Sequence, residues 1–480
     1  MARIALAQNL HFEYLGIMYI SSILKQNGHH VEMFIPKGGK KIESSLKEIA
    51  DFRPDVVGFP CTTGIHKWAL KFAEILKRKI STRILFGGPH PTYFPEIINE
   101  PAVDIICRGE GEYPLLDLAN KIDQAEDITG TLSCWFKKNG KIIKNEQSLL
   151  IEDLDQLPFP DRNLYTSKYP YFRKSQKVFI ASRGCPFNCT FCFNHQYKKL
   201  YQGKGTFVRQ RSVENLIQEI KEVRDKDKGF RTVYMQDDNF ILNKEWVKEF
   251  SDKYAREINL PFICLIRADL VDEPTIKKLS EANCKNVFFG IETGSEHLRN
   301  SLLQKEITDQ QIFHTAHLLK KYGIKYRTYN MLGLPGETME DAYRTVEINM
   351  KIKTNYPWCA LFYPFPGTKL GEYAEKHHLL ESPADHSPSS FFKTSPLKSA
   401  HKHELVNLQK LFFYGVKFPR LMPLLKTMIK WKPNLLFEIL FLLGYAWSYM
   451  KSENLRLKEV GTIGVRNLMR FFFEVDRVEK

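Results

Sequence analysis

Along the first hundred residues, short apolar and β-branched runs alternate with longer stretches whose apolar positions recur at helical spacing. RIALA (3–7) is followed by a helical pattern over 16–27, VEMFI (31–35) by one over 44–51, and VVGF (56–59) by one over 67–79; ILF (84–86) and DII (104–106) continue the series. Continuously apolar strands between amphipathic helices predict a parallel sheet covered on both faces, with ligands held beyond the strands' C-terminal ends. Residues 1–145 are therefore expected to form a doubly wound α/β domain. A Pro-rich, aromatic passage, IEDLDQLPFPDRNLYTSKYPYF (151–172), has no sustained period, so residues 146–176 are expected to be a linker. From Val178 the alternation resumes with six strand candidates, VFIAS, TVYMQ, FICLI, NVFFG, KYRTYNML and WCALFY, separated by helical patterns such as VENLIQEIKEV and DQQIFHTAHLLKKY. Six βα units are too few to close an eight-stranded barrel, which predicts an open, partial (β/α) barrel over residues 177–376 with its site in the loops at the strand ends. Residues 377–480 are expected to be helical. No repeat is visible beyond the βα rhythm.

The 480 residues exceed one typical domain, and 43% hydrophobic with 26% charged residues is globular usage, which excludes collagen-like and wholly disordered chains. Seventy Lys and Arg against 55 Asp and Glu leave a formal charge of +15. Nearly half of that surplus, +7, falls in residues 401–480, interleaved with LFFYGV, LLFEILFLLGYAW and LMRFFFEV. Basic residues beside apolar helices suit an interfacial site or an apolar substrate channel, and equally a helical cap with solvated lysines. No nucleic-acid-binding module accompanies the charge, so no nucleic acid partner is expected. The run from Leu435 to Met450 contains Glu438 and is shorter than a spanning helix. The first residues have no signal-peptide pattern, and nine cysteines are too few and too odd in number for a disulfide scaffold. The expected location is the reducing cytoplasm, with peripheral contact at the inner membrane face as a further option.

The cysteines carry the sharpest chemical signal. After VFIAS stands Arg183-Gly-Cys-Pro-Phe-Asn-Cys-Thr-Phe-Cys-Phe, which places Cys185, Cys189 and Cys192 in a CxxxCxxC array. Three thiolates on one short loop suit iron–sulfur or zinc. Structural zinc wants four ligands, and His195 is the one candidate for the fourth. Three cysteines holding an iron–sulfur cluster leave one iron open. Plain buried thiols are the remaining reading.

This array, with aromatic Phe191 before the last cysteine, resembles the signature of the radical S-adenosylmethionine (radical SAM) superfamily. The resemblance covers about residues 177–376. It implies a 4Fe-4S cluster on the three cysteines, whose open iron chelates the amino and carboxylate groups of S-adenosylmethionine; reductive cleavage then yields a 5′-deoxyadenosyl radical. It further implies cofactor-binding roles at the strand ends. Asp237 or Asp238, in Gln236-Asp-Asp-Asn-Phe, would hold the methionine ammonium, unless that turn only caps the following helix. Arg267 in CLIRAD would pair with the carboxylate, or make an ordinary surface ion pair. Glu292 in FFGIETGSE would reach the ribose or amino group, and Leu334 in LGLPGETM (332–339) would pack on adenine, while Thr338 caps the next helix. Arg209 and Arg211 are expected to border the cofactor pocket or form a solvated basic turn before a helix that Ser212 caps.

The first domain resembles the cobalamin-binding module fused to one branch of that superfamily. Asn9-Leu-His-Phe-Glu-Tyr-Leu-Gly follows the first strand, Gly58-Phe-Pro-Cys-Thr-Thr-Gly the third, and Phe86-Gly-Gly-Pro-His-Pro-Thr the fourth, with RGEGE (108–112) later. Glycines and small hydroxyl residues at strand ends let a corrin pack against backbone. The resemblance implies cobalamin contacts at His11, Gly16, Thr62, Thr63, Gly87 and Gly88. The family's DxHxxG pattern is altered, because Asn9 replaces Asp and Tyr14 stands at the glycine position. His11 as cobalt ligand and a lower face held otherwise are both open. A flavodoxin-like module for another ligand is the alternative; the absence of GxGxxG disfavours a dinucleotide.

The two resemblances together imply a cobalamin-dependent radical SAM enzyme, most often methylating an unactivated carbon. One S-adenosylmethionine methylates reduced cobalamin, and a second yields the radical that activates the substrate. A small-molecule substrate and an electron donor such as flavodoxin or ferredoxin are expected, and an apolar substrate fits the aromatic tail. Oxidation or ring formation resembling the anaerobic magnesium-protoporphyrin ester cyclase is the enzymatic alternative. Methylthiolation is disfavoured because the first domain holds no second cysteine triad. A cobalamin or redox sensor without turnover is the alternative of another class. No general base is evident; Tyr329 and Tyr363 near strand ends are expected to pack.

Overall fold

A computed structural model that describes residues 1–37, 41–381 and 392–456, with 459 and 461, contains one mixed and one wholly parallel large sheet. The first contains β1 (Arg3–Ala7), β2 (His30–Phe34), β3 (Val56–Pro60), β4 (Arg83–Gly87), β5 (Ile105–Cys107), β6 (Cys134–Lys138) and β7 (Lys141–Lys144), in the order β2-β1-β3-β4-β5-β6-β7. Strands β1 to β5 are mutually parallel, and β6 and β7 add an antiparallel hairpin at one edge. The order reverses between β1 and β3, where the crossovers leave opposite faces of the sheet and open a crevice at its C-terminal edge. The helices Leu15–Gln26 and Glu112–Asp123 cover one face, and Ile42–Phe52 and His66–Lys79 the other.

Residues 151–172 form short turns and the one-turn helix Asn163–Thr166. They belong to the first domain's packing more than a free connection would: Tyr165 is fully buried and its hydroxyl donates to Gln8 Oε1 at 2.8 Å.

The second sheet contains β8 (Gln176–Phe179), then, beyond the small ribbon of β9 (Ser182–Arg183) and β10 (Arg209–Gln210), β11 (Thr232–Met235), β12 (Phe262–Ile266), β13 (Cys284–Glu292), β14 (Lys325–Leu332) and β15 (Tyr356–Leu361). Its six strands run parallel in the order β15-β14-β13-β12-β11-β8, and β8 and β15 do not pair, so the barrel is open. Each expected strand is present. The helices between them start where a side chain can satisfy the first free amides: Ser212 accepts from Asn215 N, Asn243 from Trp246 N, and Thr308 and Thr338 form capping boxes.

The helices Lys402–Lys417 and Leu435–Ser452 follow. The end of the second reaches the N-terminal end of the barrel. There Glu453 pairs with buried Arg327 at 2.9 Å, and Asn454 donates to Thr232 Oγ1 at 2.9 Å. Among the described residues no helix is long and apolar enough to cross a membrane.

Candidate functional site

The cysteine loop leaves β9 through Gly184 and ends at the helix Asn194–Leu200. Gly184 has a φ of +90°, and a Cβ there would lie 2.2 Å from the Phe207 carbonyl oxygen, so only glycine lets the chain turn under the β10 approach. Thr190 ties the loop to the barrel through Leu303 O (3.0 Å, from its amide) and Leu302 O (2.7 Å, from its hydroxyl). Cys189 is buried, while Cys185 and Cys192 are half-buried. Burial pushes the Cys192 thiol up to about 11 and raises that of Cys185.

Around the loop the barrel places several residues singled out from the chain. Arg267 is 8% exposed; its guanidinium stacks 3.5 Å over Phe187, stands 3.5 Å from Cys189 Sγ, and donates to Asp269 and to Lys305 O. It is therefore a buried cation beside a thiol rather than a surface ion pair. Glu292 sits at a bulge in β13 with φ +66°, and Lys305 Nζ donates to it at 2.5 Å. The same ammonium lies 5.8 Å from the Phe191 ring, and Phe191 packs with buried Leu334. Phe191, Arg267, Glu292 and Leu334 thus form one neighbourhood.

The paired aspartates divide their work. Asp237 turns inward, where Oδ1 accepts from Ala181 N (3.0 Å) and Ser182 Oγ (2.5 Å) while Oδ2 is buried without a partner; burial pushes its pKa up to about 6. Asp238 faces outward with Asn194 Nδ2 at 3.2 Å, and desolvation raises its pKa as well. Neither caps the next helix, because Asn243 does.

Above this end lies a cavity of about 660 Å³, and both sheets build its walls. From the first domain come Gly16, Gly58, Thr62, Gly87, Gly88 and the turn 109–112; from the barrel come Ser182 to Gly184, Asn194, Gln236 and Asp238. Gly88, at φ +92°, brings its backbone so close to Cys61 that a Cβ would lie 3.1 Å from the Cys61 carbonyl oxygen. Two expected contacts are not on these walls. His11 Nδ1 is 2.9 Å from Tyr171 Oη, with the ring packed against Tyr171 and Phe172, and Thr63 Oγ1 is 3.1 Å from His90 Nδ1.

The wall between the domains is ionic, and spacing alone gave no sign of it. Arg183 donates to Glu110 (3.0 Å) and Glu112 (2.7 Å), while Arg209 forms a bidentate pair with Glu110 at 2.9 and 3.0 Å. Burial alone would raise the Glu110 pKa, but the bonds and charges of Arg209 and Arg183 hold it below the usual carboxylate range. Arg209 borders the cavity, whereas Arg211 is withdrawn into a buried pair with Glu219; neither belongs to a solvated turn. Tyr329 packs inside the barrel beside Arg327, and Tyr363 is buried.

The donor set tests the candidate groups. Among the described residues no three His, Cys, Asp or Glu side chains are gathered closely enough for one metal ion. Tetrahedral zinc at about 2.3 Å from each sulfur needs that closeness, whereas a cluster spreads its thiolates over separate irons. Gly16, Gly58, Gly87 and Gly88 on the cavity wall leave backbone open to a ligand.

Residues 179–348 match the Radical SAM superfamily and residues 8–119 the B12 binding domain. An uncharacterised methyltransferase of Pyrococcus horikoshii, PH0819, is 31% identical over 373 residues, covering 76% of this chain and 79% of that relative. The chain belongs to the cobalamin-binding radical SAM superfamily. As a radical SAM enzyme of this branch it uses a 4Fe-4S cluster, S-adenosylmethionine and cobalamin. The anaerobic magnesium-protoporphyrin IX monomethyl ester cyclase of Rubrivivax gelatinosus is 27% identical over 372 residues, 74% of this chain and 65% of that one. Two solved structures share the radical SAM chain's fold. The methyltransferase TsrM of Kitasatospora setae, with tryptophan and an S-adenosylmethionine analogue, has a TM-score of 0.67 at 17% identity, covering 94% of this chain and 98% of that one. OxsB, with aqua-cobalamin and S-adenosylmethionine, has a TM-score of 0.68 at 17% identity, covering 100% and 76%.

Proposed function

We propose that this enzyme methylates an unactivated carbon of a small substrate held in the cavity between the two sheets. One observation carries the reading: a single space of about 660 Å³ is bounded both by the strand ends of the cobalamin-binding domain and by the residues flanking the cysteine loop. Bound there, the cofactors supply a hydrogen-abstracting radical and a methyl group within reach of the same carbon. Cys185, Cys189 and Cys192 hold the cluster. Asp238, facing the cavity, takes the methionine ammonium by a charge-assisted bond. Arg267, beside Cys189, holds positive charge near the cluster and the cofactor carboxylate. Glu292, positioned by Lys305, serves the ribose or amino end, and Leu334 with Phe191 forms an apolar shelf for adenine. Gly16, Thr62, Gly87 and Gly88 let the corrin lie on backbone, while His11, engaged by Tyr171, is not assigned to cobalt.

In this reading residues 1–145 carry cobalamin, residues 177–376 carry the cluster, and the described helices of the region 377–480 pack against the barrel. The enzyme works in the cytoplasm, reduced by a flavodoxin or ferredoxin. The full chain, reconstituted without oxygen and given S-adenosylmethionine deuterated at its methyl group, is expected to release 5′-deoxyadenosine and S-adenosylhomocysteine and to label an acceptor in cell extract. Deoxyadenosine without any labelled acceptor would overturn methylation. The cyclase relatives favour a second reading, radical oxidation or ring closure, which would instead place oxygen from labelled water in the product. No cleavage of S-adenosylmethionine by the reduced cluster would point to a sensor.

A further inference from the structure

Fifteen large apolar side chains stand exposed among the described residues, and nine of them fall between positions 418 and 447. Leu435, Leu436, Ile439, Leu443 and Trp447 recur at helical spacing along the outer face of the helix Leu435–Ser452, and Leu435 is 74% exposed. The opposite face is already used: Phe437, Phe441, Gly444 and Ser448 are buried against the rest of the C-terminal region and the barrel. A helix apolar on both faces but covered on one is unusual in water. Phe418, Leu421, Leu424 and Trp431, from the turns and the short helix Met422–Met428 before it, extend the same apolar character.

The exposed charges carried by residues 418–452 themselves are basic. Arg420, Lys426, Lys430, Lys432 and Lys451 are all exposed, and none makes an ion pair among the described residues. The one acidic residue between positions 417 and 452 is Glu438, and Lys410 neutralises it at 2.8 Å. Another protein's apolar patch would not require this basic surround. A bilayer with anionic headgroups would: leucines and tryptophans enter the headgroup boundary while lysines meet the phosphates. The helix is too short and interrupted to cross, so it would lie in the plane of the surface.

We propose that residues 418–447 form a docking surface by which the enzyme sits peripherally on an anionic lipid bilayer. This concerns where the enzyme works and is independent of what its cavity does. The test is flotation of the full, reconstituted chain with vesicles of phosphatidylcholine alone or mixed with phosphatidylglycerol. Binding should be more than about tenfold stronger on the mixed vesicles and weaken with salt, since each basic residue near such a surface contributes on the order of 1 kcal/mol and about 1.4 kcal/mol is tenfold. Leu436→Glu with Leu443→Glu should abolish flotation from both vesicle types. Lys430→Glu with Lys432→Glu should remove the preference for phosphatidylglycerol. Both variants should keep the wild-type circular dichroism and S-adenosylmethionine cleavage, because neither pair is part of the core or the cavity. Equal binding of wild type and the leucine variant would overturn the proposal. So would a concentration-dependent dimer that the leucine variant breaks, with no flotation of either protein, because that face would then join two copies of this chain.

Discussion

A carboxylic acid sealed in the protein with no cation beside it keeps its proton, and Glu337 is in that position. One carboxylate oxygen accepts from the amides of Gly333 and Leu334, the other is buried without a partner, and burial pushes the pKa up to about 8. A folded value above the unfolded one means that stability is fully present below about pH 4.5, declines as pH rises to about 8, and is level beyond. At about 1.4 kcal/mol per unit this loss is at most about 5 kcal/mol. Glu337→Gln, neutral at every pH, should therefore flatten the fall of the melting temperature between pH 5 and 8; parallel profiles for variant and wild type would contradict this. Arg267 acts through charge. With its guanidinium 3.5 Å from Cys189 Sγ, Arg267→Ala should make the cluster harder to reduce, moving its potential to more negative values in a paramagnetic-resonance titration, with Arg267→Lys between the two. An unchanged potential in Arg267→Ala would sink the assignment. The residue types at these positions are visible in the chain, but their surroundings are not. Asp237 and Asp238 are adjacent in sequence, and only the fold turns one inward to Ser182 and the other out to the cavity.

At the scale of elements, the strands and helices of the barrel are legible because alternation and capping are local. Thr338 with Asp341 and Ser212 with Asn215 make their bonds three residues apart. The hairpin of β6 and β7 is marked in the chain only by Asn139-Gly140 between the strands, both residues with positive φ, which is the strongest short-range hairpin signal. Its strands, CWFKK and KIIK, are weakly patterned. Gly184 likewise gives no hint in the chain that Phe207 will approach its backbone. Gly184→Ala should cost on the order of 1–3 kcal/mol in strain and shift the β9–β10 ribbon. The expected result is sharply lower iron content after reconstitution with little change in circular dichroism; full iron loading would show the loop tolerates the side chain.

At the scale of the whole molecule, the two domains are joined by charge as well as by chain. Glu110 is 7% exposed and faces both Arg183 and Arg209, residues 73 and 99 positions away. Removing one member of a buried ionic group leaves the others uncompensated, typically at a cost of about 3–5 kcal/mol. Glu110→Gln should accordingly lower the urea midpoint and separate the unfolding of the two domains, seen by calorimetry as two transitions where wild type shows one. A single transition at the wild-type temperature would show that this network does not join them.

The amino-acid order by itself determined the strand rhythm, the open six-unit barrel, the three-cysteine array and the glycine-rich strand ends, because each is written in residues a few positions apart. Only the tertiary structure decided that Asp238 and Gly88 share one cavity, that His11 turns to Tyr171, that Arg183 and Arg209 clamp Glu110, and that the apolar face from Leu435 to Trp447 stands exposed among the described residues. Those facts depend on which distant surfaces meet where the two sheets line one cavity, and contacts across 73 or more residues leave no periodicity in the chain.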